Sequence, residues 1–369
     1  MSVWLRTAGL TVEVSAVGPA ASRWTRLVRE ACAGQELAGQ ELGGPELGGP
    51  ELGGPELGGR ELGGPGPSSR ARAADLVVTV GHGEPVGPGP RHRLVTRGAW
   101  TDGREVILQD ACSSGLDLVL HPREARLHVI AHPAPDWRHR ALGLAAPDRR
   151  LLLHRAALLQ FPALWWAGVH GRVPLHVSAA VVAGHGVVLV GPGGVGKSTL
   201  IATLDAATGA PVSDNLCTSD GSALQGLLEP ARTDIGTGRR MPHGRRESGW
   251  LRHVDGATPS TLLVLRRAHD DTPDPVVRHL DPATAAREIV GGTYAAGELR
   301  RYWTFAATLA LATGRGPAHP PVAEVAELLT RRLPAYEVRL PNRPGVTLEE
   351  LVDRARALPV LASGEAWRP

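Results

Sequence analysis

The amino-acid sequence predicts an α/β fold with two domains, of which the larger is built around a P-loop. Short strand-like runs separated by turn residues indicate a smaller β-rich N-terminal domain over residues 1–34 and 67–148. A low-complexity insertion at 35–66 interrupts that domain. Apolar runs that lead into a glycine-rich loop, followed by helical patterns, indicate a nucleotide-binding domain over residues 149–369.

Composition places the chain among globular proteins. Of its 369 residues 42% are hydrophobic and 21% charged, so a sizeable core can form, and a formal net charge of +3 gives no sign of a nucleic-acid partner. Cys32, Cys112 and Cys217 lack metal-binding spacing, which fits a reducing cytoplasm, and we see no signal-peptide pattern. The apolar stretch 151–169 carries charged and polar residues, so it predicts a buried helix rather than a membrane span.

The insertion repeats a pentad six times between residues 35 and 64, with one Glu and one Leu in each unit. Its glycines and prolines oppose both helix and strand, and one Leu per unit buries little surface, so we expect disorder. Six Glu and one Arg give the repeat a charge of −5. The sequence leaves two interpretations open, an interaction tether and a loop expanded by replication slippage.

On both sides of the insertion the residues alternate as expected for β-strands. Residues 10–17 form the first predicted strand, and 22–32 have the spacing of an amphipathic helix. Turn residues separate five further predicted strands, at 75–80, 93–96, 105–109, 116–120 and 126–130. The N-terminal domain is therefore predicted to be a sheet with one helix.

A helix is predicted next, over residues 149–169, with a kink or break at Pro162. Its two adjacent aromatic residues, Trp165 and Trp166, are expected to pack in the core rather than to stack on a nucleotide base.

The strongest motif follows a predicted hairpin. Two apolar runs, 176–183 and 187–190, form that hairpin, and the second leads directly into GPGGVGKS at 191–198. This octet matches G-x-x-x-x-G-K-[ST] in full and precedes a predicted helix at 197–207. The residues expected to bind nucleotide are Gly191, Gly193, Gly194, Val195, Gly196, Lys197, Ser198 and Thr199.

The chemistry of nucleoside triphosphate binding explains the motif. Its glycines let the backbone fold tightly, so that several N–H groups point at a phosphate, next to the positive end of the following helix. Lys197, the only lysine in the chain, is expected to reach the β- and γ-phosphates, where a planar guanidinium would not fit. The Ser198 hydroxyl is expected to bind Mg²⁺, so we expect ATP and Mg²⁺ as cofactors.

The acidic residue that P-loop proteins commonly place on a neighbouring strand is missing from its usual place. The apolar run 261–265 ends at Arg266 and Arg267 rather than at an Asp. Asp214 lies 17 residues after Lys197, about one helix and a turn away, so it could return to the mouth of the loop. From the residues alone, Asp214 is either the general base for a hydroxyl or a turn cap.

In these features the sequence resembles the HPr kinase/phosphorylase family, whose P-loop domain is related to phosphoenolpyruvate carboxykinase. The matching positions are His176 at the start of the strand before the hairpin, the loop at 191–198, and Asp214 followed by Asn215. The resemblance implies that Asp214 is a general base on a serine hydroxyl and that His176 lies beside the phosphates. Asn215 departs from the Asp-Asp pair of that family, which puts the reverse, phosphorylase-type reaction in question. The second glycine-rich segment of that family, which carries an acidic Mg²⁺ ligand, is not found here, and its absence favours a nucleotide switch over a kinase. Glu229 is the nearest candidate for that ligand, so the expected metal ligands are Ser198, Asp214 and Glu229.

These features predict ATP- and Mg²⁺-dependent phosphoryl transfer to a hydroxyl, either of a serine in a protein or peptide or of a small molecule. The alternative is an ATP-binding switch or assembly factor with slow hydrolysis and no acceptor. The spacing of Asp214 favours the kinase, whereas Asn215 favours the switch, and His176 could instead be a partly buried strand residue. We expect neither a nucleic-acid nor a membrane partner, and a homo-oligomer is left open.

The remainder of the chain is predicted to be mostly helical. Four arginines between residues 239 and 246 form either a loop that clamps phosphate or a solvated basic loop. Thr347 and Glu350 form a capping box for the last predicted helix. The predicted helices are 283–310, 322–333 and 347–358, with a strand at 335–340.

Overall fold

The computed structural model of the protein shows a mixed α/β fold with several sheets. It describes residues 2–19, 21–32, 74–81, 87–233, 238–242, 244–250, 252–268, 273–342 and 345–359. The predicted disordered insertion at 35–66 lies outside these residues.

The N-terminal part forms one eight-stranded sheet, in the order β1-β2-β3-β8-β7-β6-β5-β4. Neighbouring strands are parallel between β2, β3 and β8 and antiparallel elsewhere. All six strands predicted in this part are present within a few residues of the expected bounds, whereas β1 and β5 were not predicted. The strands are β1 (Ser2–Thr7), β2 (Leu10–Ala16), β3 (Leu76–Val80), β4 (Arg93–Thr96), β5 (Ala99–Thr101), β6 (Val106–Leu108), β7 (Leu116–Pro122) and β8 (Leu127–Pro133).

The remaining strands form three smaller sheets. The central one has six strands in the order β12-β10-β11-β19-β21-β20, and the other two have the orders β18-β14-β13-β9 and β15-β17-β16. The strands are β9 (Val173–Leu175), β10 (Ser178–Val182), β11 (His185–Val190), β12 (Gly209–Ser213), β13 (Cys217–Ser219), β14 (Leu224–Gly226), β15 (Ala231–Thr233), β16 (Arg239–Arg240), β17 (Arg246–Ser248), β18 (Gly256–Ala257), β19 (Pro259–Arg267), β20 (Val276–His279) and β21 (Ala335–Leu340).

The helices lie between and after these strands. They are α1 (Ala21–Cys32), α2 (Trp137–Ala145), α3 (Pro147–Arg155), α4 (Phe161–Val169), α5 (Lys197–Ala202), α6 (Pro282–Ala295), α7 (Arg300–Thr313), α8 (Val322–Arg332) and α9 (Leu348–Ala357). The Thr347 side chain caps α9 by accepting a hydrogen bond from the Glu350 amide, as the capping box predicts. None of the helices among the described residues is long and apolar enough to cross a membrane.

Two helical predictions need correction. The helix expected over 149–169 begins at Pro147 and passes through a π-helical turn at Ala156–Gln160 before α4, which has Pro162 in its first turn. A wider turn of this kind accommodates a residue that lacks an N–H donor. The single helix expected over 283–310 is two helices, α6 and α7, because the backbone is extended at Ala296 and a short 3₁₀ turn follows at Gly297–Leu299.

One core joins the N-terminal sheet to helices from the second part of the chain. Leu118 from β7 belongs to the same buried cluster as Trp166 from α4 and Tyr302 from α7. The tryptophan pair is fully buried, as predicted from its packing role. The central sheet separates two further clusters of buried residues, because successive side chains of a strand point to opposite faces. Val188 packs in the cluster that includes residues of α6 and α8, and the next residue, Leu189, packs in the cluster that includes residues of α5 and α9.

A buried histidine connects α3 to the N-terminal sheet and makes the fold sensitive to acid. The Nε2 atom of His154 lies 3.1 Å from the carbonyl oxygen of Ser114, and its ring contacts Trp24 at a centroid distance of 5.3 Å. Burial, with a smaller contribution from the charge of Arg150, lowers the pKa of His154 from 6.5 to about 4.

We expect the His154→Gln variant to lose part of the pH dependence of stability. The pKa of His154 is about 4 in the folded protein and 6.5 in the unfolded chain, so between these pH values the unfolded chain binds more protons. The free energy of unfolding therefore has its full value above pH 6.5 and falls as the pH drops toward 4. Between about pH 7.5 and 5, the free energy of unfolding of the wild type should fall by about 2 kcal/mol more than that of the variant. Urea unfolding at both pH values measures this difference, with the exposed His185→Gln as control. Equal pH dependence in wild type and His154→Gln would contradict the assignment.

Candidate functional site

The predicted P-loop connects β11 to α5 and has the backbone that its glycines allow. Gly191, Gly194 and Gly196 all have positive φ angles. A Cβ atom on Gly191 would lie 2.7 Å from the carbonyl oxygen of Leu265, so only glycine fits at the first turn of the loop. The loop lines a cavity of about 430 Å³, whose opposite wall includes Asn215 and the residues around Glu298.

Lys197 is folded back onto the loop. Its Nζ atom donates hydrogen bonds to the carbonyl oxygens of Gly191, at 2.7 Å, and of Pro192, at 3.2 Å. Burial lowers its pKa, and the charge of Asp214 opposes that effect. The ammonium group is therefore held at the mouth of the loop by acceptors that a phosphate could replace.

The sheet brings Asp214 to the P-loop. Strand β10 is antiparallel to both β11 and β12, so β11 and β12 run in the same direction and end at the same edge of the sheet. The P-loop follows β11, and Asp214 is the first residue after β12. This edge, beyond the carboxyl ends of strands, is where α/β sheets commonly bind ligands.

The carboxylate of Asp214 is buried without a hydrogen-bond partner. The residue is 2% exposed, and neither side-chain oxygen is hydrogen-bonded within 3.5 Å to another described residue. Burial raises the pKa of this carboxyl, whereas the Ser198 hydroxyl and the charges of Arg232 and Arg245 oppose the rise. A buried carboxylate without a hydrogen bond is costly even beside the charges of Lys197, Arg232 and Arg245, so its position favours a cation or a hydroxyl donor that binds there.

His176 lies at the site, but it does not begin the strand as predicted. It precedes β10, between β9 and β10, where its backbone N–H donates to the Thr293 hydroxyl at 3.0 Å. Its Nε2 atom lies 2.9 Å from the Oδ1 atom of Asn215, whose Nδ2 atom donates to Glu298 at 3.3 Å. Burial, then the charge of Lys197, lowers the pKa of His176, so the neutral ring donates from Nε2.

An ion-pair network surrounds Glu229, whose carboxyl is close enough to Asp214 for the two charges to interact. Arg232 contacts Glu229 at 3.6 Å and Glu298 at 3.1 Å. Burial raises the pKa of Glu229 to about 7, with Arg232 opposing the rise and Glu298 and Asp214 adding to it. Partial burial raises the pKa of Glu298, but the charge of Arg232 outweighs this effect and holds the pKa below its ordinary value.

One of the four arginines between residues 239 and 246 reaches the P-loop. Arg245 donates a hydrogen bond of 2.8 Å to the hydroxyl of Ser198, the predicted Mg²⁺ ligand. Arg239 pairs with Asp148 at the surface, and Arg246 donates to the carbonyl oxygen of Gly238. Of these four arginines only Arg245 faces the candidate site. The interpretation as a phosphate clamp therefore applies to Arg245, and the interpretation as a solvated basic loop applies to the other three.

The residues that surround Ser198 suit a magnesium ion. Both oxygens of Asp214 and one oxygen of Glu229 are buried without a hydrogen-bond partner among the described residues, and the Ser198 hydroxyl contributes to the pKa of Asp214. Hydroxyl and carboxylate oxygens are the ligands that Mg²⁺ prefers. The donor set thus fits the metal predicted from the sequence.

Glu298 is the functional candidate that sequence reasoning missed. It was assigned to the middle of one long helix, whereas it lies in the short turn between α6 and α7 and lines the cavity. The available signal was Gly297, since a glycine within a helical pattern often marks an end.

Comparisons with known proteins give little further information. No family model matches the chain, and no curated protein matches it. A solved structure of the HPr(Ser) kinase/phosphatase from Coxiella burnetii is similar to part of the chain, with 14% sequence identity and a TM-score of 0.26. The match covers 50% of this chain and 87% of that one. It is a distant likeness, from which no activity follows.

We expect Asn215→Asp to destabilise the protein. The change replaces the donor that faces Glu298 with a second carboxylate, so one hydrogen bond is lost and two acceptors of like charge meet. The free energy of unfolding at neutral pH should fall by about 1–3 kcal/mol, measured by urea denaturation. Adding Glu298→Gln restores a donor and should recover much of the loss. No loss, or a loss that Glu298→Gln leaves unchanged, would show that this hydrogen bond does not hold the site together.

Proposed function

We propose that the protein transfers the γ-phosphoryl group of ATP to a hydroxyl group, in the manner of the HPr kinase type that its motifs resemble. The observation that carries the proposal is Asp214, a buried carboxylate without a hydrogen-bond partner among the described residues, set beside Ser198 of the P-loop. A nucleotide switch would use this carboxylate only to hold Mg²⁺, whereas a kinase would also use it as the base for the acceptor hydroxyl. The acceptor is a serine of a protein or peptide, or a hydroxyl of a small molecule.

The P-loop binds the triphosphate. Backbone N–H groups between Gly191 and Gly196 surround the phosphates, and Lys197 moves its ammonium group from the loop carbonyls to the β- and γ-phosphate oxygens. Mg²⁺ bound to Ser198 and the buried carboxylates supplies further neutralisation of phosphate charge. Binding at Ser198 requires that Arg245 release the hydroxyl, which frees its guanidinium to pair with a phosphate oxygen.

The transfer step is a single displacement at phosphorus. The acceptor oxygen forms a bond to the γ-phosphorus while the bond to the bridging β–γ oxygen breaks, and ADP leaves with that electron pair. The acceptor proton moves to a carboxylate oxygen of Asp214. The carboxylate oxygens of Asp214 have no hydrogen-bond donor among the described residues, so one of them can accept this proton.

His176 is proposed to act beside the phosphates. It lines the cavity, and its Nε2–H is directed to Asn215, so the ring is held in one orientation. Its Nδ1 atom is buried without a hydrogen-bond partner among the described residues. Asn215 and Glu298 position this ring rather than react.

A nucleotide-dependent switch is the second candidate function. The contact between Arg245 and Ser198 supports it, because ATP and Mg²⁺ would displace Arg245 and thereby move the bend before β17 that carries it. In that case hydrolysis is slow and no acceptor exists. Both functions share the P-loop and differ in the role of Asp214.

Phosphoryl transfer is tested with γ-labelled ATP, Mg²⁺ and a fractionated extract of the source. We expect label on a separate acceptor, lost in Lys197→Ala because the nucleotide is bound poorly. Asp214→Asn should lower transfer by roughly a hundredfold or more even at saturating ATP and Mg²⁺, since a general base is removed, although the loss of a metal ligand also weakens nucleotide binding. The matched control is Asp205→Asn, an exposed aspartate that follows α5. Label released only as phosphate, at the same rate in Asp214→Asn, would favour the switch.

A second variant tests the arginine at Ser198. Arg245→Gln should lower the rate of transfer by on the order of a hundredfold, because a positive charge is removed from the transferring phosphate. Arg240→Gln, a change at an exposed arginine of the same stretch, should transfer at the wild-type rate. Measuring kcat and nucleotide affinity separately shows whether Arg245 acts in the reaction or only in binding. Equal kcat for the wild type and Arg245→Gln would remove Arg245 from the proposed reaction.

A further inference from the structure

A second cavity lies where the N-terminal sheet meets α7. Its volume is about 460 Å³, and its walls come from the turn between β4 and β5, the turn before β7, and the first turns of α7. The residues with charged side chains around it are Arg97, Asp110, Arg300 and Arg301. Positive charge therefore predominates, and it is contributed by both parts of the chain.

The three arginines of this cavity are exposed and unpaired. Within the described residues, none of the side chains of Arg97, Arg300 and Arg301 makes a hydrogen bond or ion pair. Some other arginines are paired, as Arg239 is with Asp148 and Arg266 with Glu288, so what distinguishes these three is that they lie around one cavity. Three free guanidinium groups around one cavity repel each other, so an anionic ligand gains from all three.

The carboxylate in the cavity does not neutralise these arginines. Asp110 accepts a hydrogen bond from the backbone N–H of Gly115, and the same oxygen lies 3.1 Å from the Nε2 atom of His139. Its negative charge is thus directed to the turn that it stabilises. Arg300 and Arg301 also occupy the first turn of α7, the end of a helix where positive charge is unfavourable, so helix stability does not explain them.

The cavity is close to the candidate active site along the chain. Glu298 lines the active-site cavity, and Arg300 and Arg301 follow it by two and three residues. Three residues of extended chain span at most about 11 Å, which bounds the distance between the Cα atoms of Glu298 and Arg301. A peptide that reaches both cavities therefore needs only a few residues between its reactive hydroxyl and the group that meets the arginines.

We propose that the acceptor is an acidic peptide segment, whose carboxylate side chains dock on Arg97, Arg300 and Arg301 while its hydroxyl lies at Asp214. The inference rests on the proposed function and names its substrate class. Arginine pairs with carboxylates through two parallel hydrogen bonds, which gives geometric selection as well as charge attraction. The N-terminal part contributes to substrate choice through Arg97, and a small-molecule acceptor without such carboxylates would leave this cavity unused.

Binding of synthetic peptides tests the docking surface without requiring catalysis. Each peptide has about 14 residues of Gly and Ala, one Ser, and three Glu placed roughly three to six residues before or after it, a spacing set by the extent of an extended chain. Matched peptides carry Gln in place of Glu. All are labelled for fluorescence anisotropy and blocked at both ends, so that side-chain carboxylates are their only anionic groups.

We expect the wild type to bind one of the Glu peptides at least about tenfold more tightly than its Gln counterpart, because each exposed charge pair contributes a fraction of a kcal/mol to about 1 kcal/mol. The double variant Arg300→Gln/Arg301→Gln should bind the two peptides within about twofold of each other. Arg356→Gln, a change at an exposed arginine on α9, should keep the full preference. The preference should also weaken with added salt.

The outcomes separate the docking surface from the reaction. Equal binding of Glu and Gln peptides by the wild type would overturn the proposal, and so would a Glu preference that survives replacement of Arg300 and Arg301. Transfer of label from ATP to the bound Glu peptide, faster than to the Gln peptide, supports both the docking surface and the kinase. Glu-selective binding that depends on the arginines, without transfer to any acceptor, would keep the docking surface and refute the proposed function.

Discussion

The charged groups around the P-loop are buried together, and the site depends on that burial. Lys197 and Arg232 face the buried carboxylates of Asp214 and Glu229, and the more exposed carboxylate of Glu298 lies at the edge of this group. A charge removed from water is tolerated only with a partner, so each group limits the others. Burial raises the pKa values of Asp214 and Glu229, although the charge of Arg232 opposes the rise at both carboxyls and that of Arg245 opposes it at Asp214.

Strand direction makes this concentration of charge possible. Since β11 and β12 run the same way, the residue after each strand arrives at one edge of the sheet, although 23 residues separate Gly191 from Asp214. The third contributor comes from a different sheet, because the pairing of β17 with β15 and β16 brings Arg245 to Ser198. The glycine-rich loop, Asp214 and Arg245 thus come from three separate segments.

The N-terminal part is tied to this arrangement by the core that it shares with α4 and α7. Because α7 packs against the N-terminal sheet, the turn before α7 is held in place, and that turn carries Glu298. Glu298 in turn accepts the hydrogen bond of Asn215, so a neutral amide at this position is complementary to a carboxylate from a distant segment. Glu298 therefore supplies, next to Asn215, the negative charge that an aspartate at position 215 would have carried.

The sequence by itself determined the local features of this protein. The motif at 191–198, the hairpin before it and the cap at Thr347 depend on residues close together in the chain, whose preferences act over a few positions. Tertiary structure alone decided that Glu298 and Arg245 reach the site and that one predicted helix is two. Those outcomes depend on contacts between residues far apart in sequence, and the energies of such contacts exist only once the sheets and helices have packed.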